Sequence, residues 1–246
     1  MEILKMTLQA VKNYDYMSRV AAEIFLTQIK KKPDSVLGLA TGSSVLGLYE
    51  HLIKSHKEGN VDFSEITTVN LDEYVGLSGE SDQSYRYYMD NNLFNHININ
   101  FSNTNLPDGL AKDVITECKR YNSLIESFMG VDIQLLGLGL NGHIGFNEPD
   151  DVFTKETHVV DLEESTIKAN SRFFENEKDV PRQAITMGIQ NIMHAKEIVL
   201  CVSGKAKAKI LKEVLTGPIT PHVPGSILQL HPNLTVVADM DALSEI

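Results

Sequence analysis

Short apolar runs alternate with amphipathic segments along this chain, and that alternation limits the fold more than any other feature of the sequence. The apolar runs are short enough to be buried strands, and the segments between them repeat apolar residues with the period of a helix. Strands that alternate with helices predict an α/β domain with a mostly parallel central sheet. The predicted strands cover residues 35–40, 66–71, 131–138, 157–162, 197–203 and 234–239, and the predicted helices cover residues 15–31, 45–57, 82–94, 110–129, 182–194 and a segment from 205.

Length and composition are those of one globular domain covering residues 1–246. The hydrophobic share of 42% is enough for a large core. No apolar run approaches the ~20 residues that cross a bilayer, and the N-terminus lacks the features of a signal peptide. The formal net charge of −11 argues against nucleic acid as a partner. Cys118 and Cys201 have no metal or redox spacing, so we expect buried free thiols, no metal site and a cytoplasmic location.

A glycine-rich loop follows the apolar run that ends at residue 138. Gly137, Gly139 and Gly142 spell G-x-G-x-x-G, and Asp161 lies about 20 residues further on, as in a dinucleotide-binding fingerprint. That fingerprint requires a helix to open at the third glycine. The chain instead continues as HIGFNEPDD, which has no helical period. We therefore exclude a dinucleotide site.

The same loop carries polar side chains that suit proton transfer. A structural turn would explain its glycines, but not the presence of His143, Asn147 and Glu148 within a few residues of each other. A histidine and a glutamate held in a sharply turning loop are typical acid–base groups near neutral pH. We favour an active-site loop over a structural one.

A second small-residue turn, Thr41-Gly42-Ser43-Ser44, lies between a predicted strand and a predicted helix. Free backbone N–H groups at such a helix start, together with the helix dipole, favour a phosphate. It is not a Walker loop, because no lysine follows Gly42. An ordinary N-cap by Ser43 or Thr41 explains the turn equally well, so both interpretations stay open here.

Candidate polar groups follow several successive strands of the predicted sheet. Asp72 comes just after residues 66–71, although an aspartate at this point also fits the cap of a turn. In a parallel sheet the turns at 41–44, 72, 141–148 and 203–207 all lie at one edge, where α/β proteins bind ligands. Arg172 lies in a polar region further on, where it either binds phosphate or pairs with surface acids.

With these motifs in hand, the chain resembles the glucosamine-6-phosphate deaminases along essentially its whole length. The resemblance implies a modified Rossmann-like three-layer sandwich and a cytoplasmic hydrolase of amino-sugar metabolism and N-acetylglucosamine degradation. It implies conversion of glucosamine 6-phosphate and water into fructose 6-phosphate and ammonia, without a cofactor. Glucosamine 6-phosphate is the only partner that the resemblance implies. The resemblance leaves open whether the chain forms a homo-oligomer. The matching segments are LGLATGSS at 37–44, NLDEYVGL at 70–77, GLGLNGHIGFNEP at 137–149, SRFF at 171–174, GKAKA at 204–208 and SILQLH at 226–231.

The resemblance also implies roles for individual residues. Asp72 would move a proton between C2 and C1 of the opened sugar, His143 would open the ring, and Glu148 would orient His143. The residues implied in phosphate binding are Thr41, Gly42, Ser43, Ser44, Arg172 and Lys207.

The sequence departs from the family pattern at two places. Asn141 stands where many members have aspartate, which changes the charge near His143 but is compatible with activity. Some members are activated by N-acetylglucosamine 6-phosphate through a basic cluster after the GHIGFNEP segment. Residues 150–163 are acidic here and the chain ends soon after Asp239, so we expect no such activation.

Two other functions remain to be compared with the deaminase. A sugar-phosphate sensor on the same fold would carry a helix-turn-helix domain, for which this chain has no room, and would tend to lose the acid–base residues. The enzymatic alternative is a lactonase or a ketose isomerase, and the related 6-phosphogluconolactonases share the fold and some of the glycines. The LDEY and GHIGFNEP segments together favour the deaminase.

Overall fold

The computed structural model describes residues 5–162, 164, 167–168 and 180–246. The strands of this part of the chain are β1 (Lys5–Val11), β2 (Val36–Leu39), β3 (Thr67–Asn70), β4 (Asp72–Tyr74), β5 (Thr104–Asn105), β6 (Ile133–Leu136), β7 (His158–Asp161), β8 (Gln183–Thr186), β9 (Ile198–Val202) and β10 (Asn233–Asp239).

The α-helices of the described residues are α1 (Tyr14–Lys31), α2 (Leu46–Lys57), α3 (Tyr85–Asn92), α4 (Val114–Ser127), α5 (Ile189–Met193) and α6 (Ala208–Thr216). None of these helices combines the length and the apolar character that a membrane crossing requires. The apolar faces of α1, α2, α4 and α6 pack with the central strands into the main hydrophobic core.

A seven-stranded parallel sheet forms the centre of the molecule, in the order β1-β10-β9-β6-β2-β3-β5. The predicted α/β fold with a mostly parallel sheet is therefore confirmed. The strand order reverses at β2, because the chain continues from β2 to β3 on one side and places β6 on the other. The loops after β2 and β6 consequently diverge and leave a crevice at the carboxyl edge of the sheet, where ligands bind in such folds.

A small antiparallel sheet, β4-β8-β7, lies beside this edge. The N–H of Met187 donates to the carbonyl of Leu71 at 2.7 Å, which joins the end of β8 to the end of β3. A second apolar cluster packs around this sheet and includes Tyr74, Phe146 and Ala184. Asp72, predicted to follow a strand of the main sheet, thus begins a strand of the small one.

The predicted helix over residues 182–194 is wrong in its first part. Gln183–Thr186 is strand β8, paired on both sides, and α5 covers only Ile189–Met193. A short apolar segment does not distinguish strand from helix by its pattern alone, and here pairing in the small sheet decides. Gly188 separates the two elements, since a Cβ there would lie 2.2 Å from the carbonyl oxygen of Lys155.

Candidate active site

A cavity of about 480 Å³ opens in the crevice at the carboxyl edge of the main sheet. It is lined by the turn after β2, by the glycine-rich loop after β6, and by parts of α3 and the turn after β9. The predicted site residues on its wall are Thr41, Gly42, Ser43, Ser44, Asp72, His143 and Lys207. Asn141 and Glu148 contact His143, and Arg172 lies outside the described residues.

The turn after β2 carries no side-chain cap. Helix α2 begins after Val45, and neither Ser43 nor Thr41 accepts a hydrogen bond from its first turn, so the alternative of a cap by these two residues is not realised. Within the described residues, no acceptor meets the backbone N–H groups of Gly42, Ser43 or Ser44. The turn therefore leaves N–H donors free at the positive end of a helix, which is an arrangement suited to an anion.

The imidazole of His143 is fixed by a carboxylate and an amide. Its Nδ1 lies 3.0 Å from Oε2 of Glu148, and the same oxygen accepts a hydrogen bond from Nδ2 of Asn141 at 2.6 Å. The backbone N–H of His143 donates to Oδ1 of Asn141 at 3.2 Å. Glu148 thereby holds the hydrogen on Nδ1, and Nε2 of the neutral ring is left as an acceptor that meets no partner among the described residues.

Close backbone approach explains two glycines of this loop. A Cβ on Gly139 would lie 2.3 Å from Cδ2 and 2.4 Å from Nε2 of His143, so the ring rests directly against the glycine. Gly142 has a φ of 88°, a left-handed conformation, and its carbonyl accepts from the N–H of Gly225 at 2.8 Å. The G-x-G-x-x-G pattern makes room for the ring of His143 and does not begin a helix.

Asp72 presents a buried carboxyl group to the cavity, with 6% of the residue exposed. Among the described residues, no hydrogen bond or ion pair reaches that carboxyl group. Burial, followed by the negative charge of the neighbouring Glu73, raises the pKa of Asp72 to about 8. A carboxyl group in this environment exchanges a proton near neutral pH, which suits it to act as a base and then as an acid.

We expect the carboxyl group of Asp72 to titrate near pH 8 in the ligand-free protein. The measurement is the pH dependence of its carboxyl carbon by ¹³C NMR, with the resonance assigned by its absence in Asp72→Asn. Glu73→Gln should move the midpoint to lower pH, because it removes a neighbouring negative charge. A midpoint near the ordinary aspartate value of about 3.9 would contradict this expectation.

Glu73 itself fastens the start of α3. Its Oε1 accepts from the N–H groups of Tyr74 and Tyr85 at 2.8 and 2.9 Å, and its Oε2 accepts from the N–H of Arg86 at 2.9 Å. This contact holds Tyr85 against the cavity, where it stacks on Phe146 at 5.9 Å between ring centroids. No role in the site was predicted for Glu73, Tyr85 or Phe146. Glu73 and Phe146 lie within the LDEY and GHIGFNEP segments, and the signal for Tyr85 is the tyrosine-rich run in residues 85–88.

Lys207 reaches the cavity from the short 3₁₀ turn after β9. Its Nζ donates to the carbonyl of Leu138 at 2.5 Å, and burial lowers its pKa to about 8. Lys205, at the start of the same turn, does not line the cavity. An anion bound beside Lys207 would stabilise its charged form.

The chain is similar to known proteins over most of its length. Curated relatives named glucosamine-6-phosphate deaminase include one from Thermoanaerobacter pseudethanolicus, 54% identical over 232 residues that cover 94% of this chain and 92% of the relative. Another, from Lachnoclostridium phytofermentans, is 57% identical over 225 residues, which cover 92% and 95% of the two chains.

Solved structures agree with these sequence relatives. The structure of a monomeric glucosamine-6-phosphate deaminase superposes with a TM-score of 0.96 at 47% identity, covering 98% of this chain and 100% of that one. A 6-phosphogluconolactonase from Thermotoga maritima shares the fold, with a TM-score of 0.77 at 18% identity, covering 96% of this chain and 100% of that one. Residues 12–237 match the profile of the glucosamine-6-phosphate isomerases/6-phosphogluconolactonase family. The chain belongs to the family of glucosamine-6-phosphate isomerases and 6-phosphogluconolactonases.

Proposed function

We propose that this chain is a glucosamine-6-phosphate deaminase, which converts glucosamine 6-phosphate and water into fructose 6-phosphate and ammonia. The observation that carries the proposal is the pairing of two proton-transfer groups in one cavity. A buried carboxyl group with a raised pKa and a carboxylate-held imidazole both line it, and the turn at residues 41–44 and Lys207 line the same cavity. Relatives that are 54% and 57% identical carry the name of this activity.

Ring opening is the first step, and we assign it to His143. The neutral ring accepts the proton of the O1 hydroxyl at Nε2 and returns a proton to O5 as the ring bond breaks, which leaves an aldehyde at C1. The carboxylate of Glu148 stabilises the imidazolium that forms between these two transfers. Asn141 anchors Glu148 and the backbone of His143 without adding a negative charge.

Isomerisation and loss of nitrogen follow, and we assign the proton transfer to Asp72. Once C1 is an aldehyde, the proton on C2 is acidic enough for a positioned carboxylate to remove it. The same carboxyl group returns that proton to C1 while a proton passes from the C2 nitrogen to O1, which gives an imine at C2 and a hydroxyl group at C1. Water adds to the imine and ammonia leaves, so fructose 6-phosphate is the second product.

The amino group of the substrate offsets the effect of burial, which disfavours the ionised form of Asp72. A protonated amine on C2 would lie beside a carboxyl group that has no positive partner among the described residues. An opposite charge at this distance favours the carboxylate, which is the form that acts as a base. A lactone carries no such charge, and its hydrolysis requires no proton transfer between carbons, so this feature favours the deaminase over the lactonase.

The deciding assay is ammonia release from glucosamine 6-phosphate, with 6-phosphogluconolactone as the control substrate. The proposal requires ammonia and fructose 6-phosphate in equal amounts, and little hydrolysis of the lactone. Rapid hydrolysis of the lactone without ammonia release would assign the chain to the other branch of its family.

We assign the phosphate to the turn at residues 41–44 and to Lys207, and we keep Arg172 as a further phosphate ligand on the basis of the SRFF segment. Lys207→Ala should raise KM by about 10- to 150-fold, because a charge-assisted hydrogen bond to the phosphate is lost. Initial rates over a range of substrate concentrations give this value, and Lys205→Ala is the matched control from the same turn. Equal KM values for the two variants would contradict the assignment.

The wider setting of the enzyme follows from the same proposal. We propose one catalytic domain over residues 1–246, with the sugar phosphate as its small-molecule partner. Cys118 and Cys201 are buried and unpaired, as predicted. Free thiols of this kind support a cytoplasmic location.

A further inference from the structure

We propose that Tyr14 and Tyr88 are positioning residues that hold the turn at residues 41–44 in its anion-binding conformation. The inference rests on the proposed phosphate site and adds the groups that shape it. Neither tyrosine belongs to a motif that the sequence analysis singled out, and they come from two different helices, α1 and α3.

The two hydroxyl groups hold neighbouring carbonyl groups of the turn. Oη of Tyr88 donates to the carbonyl of Gly42 at 2.9 Å, and Oη of Tyr14 donates to the carbonyl of Ser43 at 2.8 Å. In a trans peptide the C=O and the following N–H point in opposite directions. The N–H groups of Ser43 and Ser44 are therefore directed away from the tyrosines, and they remain free of acceptors within the described residues.

Little else fixes these two peptide groups. Gly42 has a φ of 96°, and a Cβ placed on it would meet no atom of the described residues within 4 Å. Within the described part of the chain, one backbone hydrogen bond returns to Gly42, from the N–H of Val45, and it is long at 3.4 Å. Without the tyrosine hydroxyls, rotation of these peptides would turn carbonyl oxygens toward the position of the anion, where they would repel it.

The position of Tyr14 is in turn set by the packing of α1 on α2. Its hydroxyl oxygen also accepts from the N–H of Gly47 at 2.8 Å, so one hydroxyl joins the turn to the first turn of α2. A Cβ on Gly47 would lie 2.5 Å from Oγ of Ser18 and 3.1 Å from Cε1 of Tyr14, which shows how closely the two helices approach. Tyr88 is held by α3, which the carboxylate of Glu73 fastens at its start.

The test removes one hydroxyl at a time and measures the binding of inorganic phosphate by calorimetry. Tyr14→Phe and Tyr88→Phe should each weaken phosphate binding by about three- to tenfold, the usual effect of losing one hydrogen bond. In turnover, KM for glucosamine 6-phosphate should rise by a similar factor while kcat stays within about twofold. Tyr16→Phe and Tyr87→Phe are the matched controls, because they lie on the same helices with exposed rings and hydroxyls that meet no partner among the described residues. Both controls should bind phosphate like the natural protein.

Phosphate binding within about twofold of the natural protein in both Tyr14→Phe and Tyr88→Phe would overturn the inference, whatever the ammonia assay shows. A variant that is only less stable would show fewer phosphate sites per protein molecule in the titration but an unchanged dissociation constant for phosphate. That result would also overturn the inference. Weaker phosphate binding in a chain that releases no ammonia would refute the proposed function and leave the role of the tyrosines standing.

Discussion

Asp72→Asn is expected to keep the fold and bind sugar phosphate, yet to lose turnover by about 100- to 10,000-fold or more. An amide has nearly the shape of the carboxyl group but cannot accept a proton from carbon, and loss of a general base typically has an effect of this size. Because only 6% of the residue is exposed, water has little access with which to replace the missing base. The loss should therefore appear in kcat rather than in KM.

The stability of the same variant provides the control. The pKa of Asp72 is about 8 in the folded protein and near the ordinary value of about 3.9 when the chain unfolds. Ionisation of Asp72 therefore favours the unfolded chain. The loss of stability begins as the pH rises above the pKa of Asp72 in the unfolded chain, and it is complete above the pKa of Asp72 in the folded protein. Asparagine has no such cost, so Asp72→Asn should melt at or above the temperature of the natural protein at pH 7. Turnover within a few-fold of the natural protein would remove Asp72 from the role of base.

Gly139→Ala is expected to lower kcat by about 100-fold or more, since a displacement of about 1 Å in a catalytic group has that effect. The new Cβ would lie within 2.6 Å of three ring atoms of His143, so the imidazole has to move. Glu148 holds the other side of that ring at 3.0 Å, and a displaced ring would lose this contact as well. The change adds one methyl group and removes no catalytic atom.

Gly137→Ala is the comparison for this variant. It lies two residues earlier in the same loop, and among the described residues its Cβ would meet only Cβ of Ser44 at 3.9 Å, an ordinary contact. Assays of kcat for both variants, with circular dichroism to verify folding, measure the difference. Equal activities would show that the seating of His143 against Gly139 has no part in the reaction.

Much of the fold and the grouping of the candidate site followed from local sequence patterns. The helix at residues 15–31 was predicted within one residue of its observed start, because a clear helical period ends at a lysine cluster and a proline. Asp72, His143 and the turn at 41–44 were expected at one edge because parallel strands place their carboxyl ends together, and the structure brings them to one cavity.

The elements that the sequence analysis missed depend on contacts distant in sequence. Strand β1 is an edge strand with Met6 and Leu8 exposed, so its pattern gives no sign of a buried strand. Strands β4 and β8 are short and are defined by pairing with each other. The capping contact of Glu73 and the hydroxyl contacts of Tyr14 and Tyr88 join residues 12 to 46 positions apart, and no local pattern encodes them.

The central claim is that a base in this cavity breaks the C2–H bond before nitrogen leaves, and the fate of that hydrogen tests it most directly. Glucosamine 6-phosphate carrying deuterium at C2 is converted by the natural protein, and the product is analysed by NMR and mass spectrometry. The account predicts fructose 6-phosphate with part of the deuterium at C1 and the rest in water, because a buried carboxyl group both carries the label and exchanges it. Asp72→Asn should slow this loss of label from C2 in parallel with ammonia release. Ammonia release with all of the deuterium still at C2 would contradict the account, because nitrogen would then leave without cleavage of the C2–H bond.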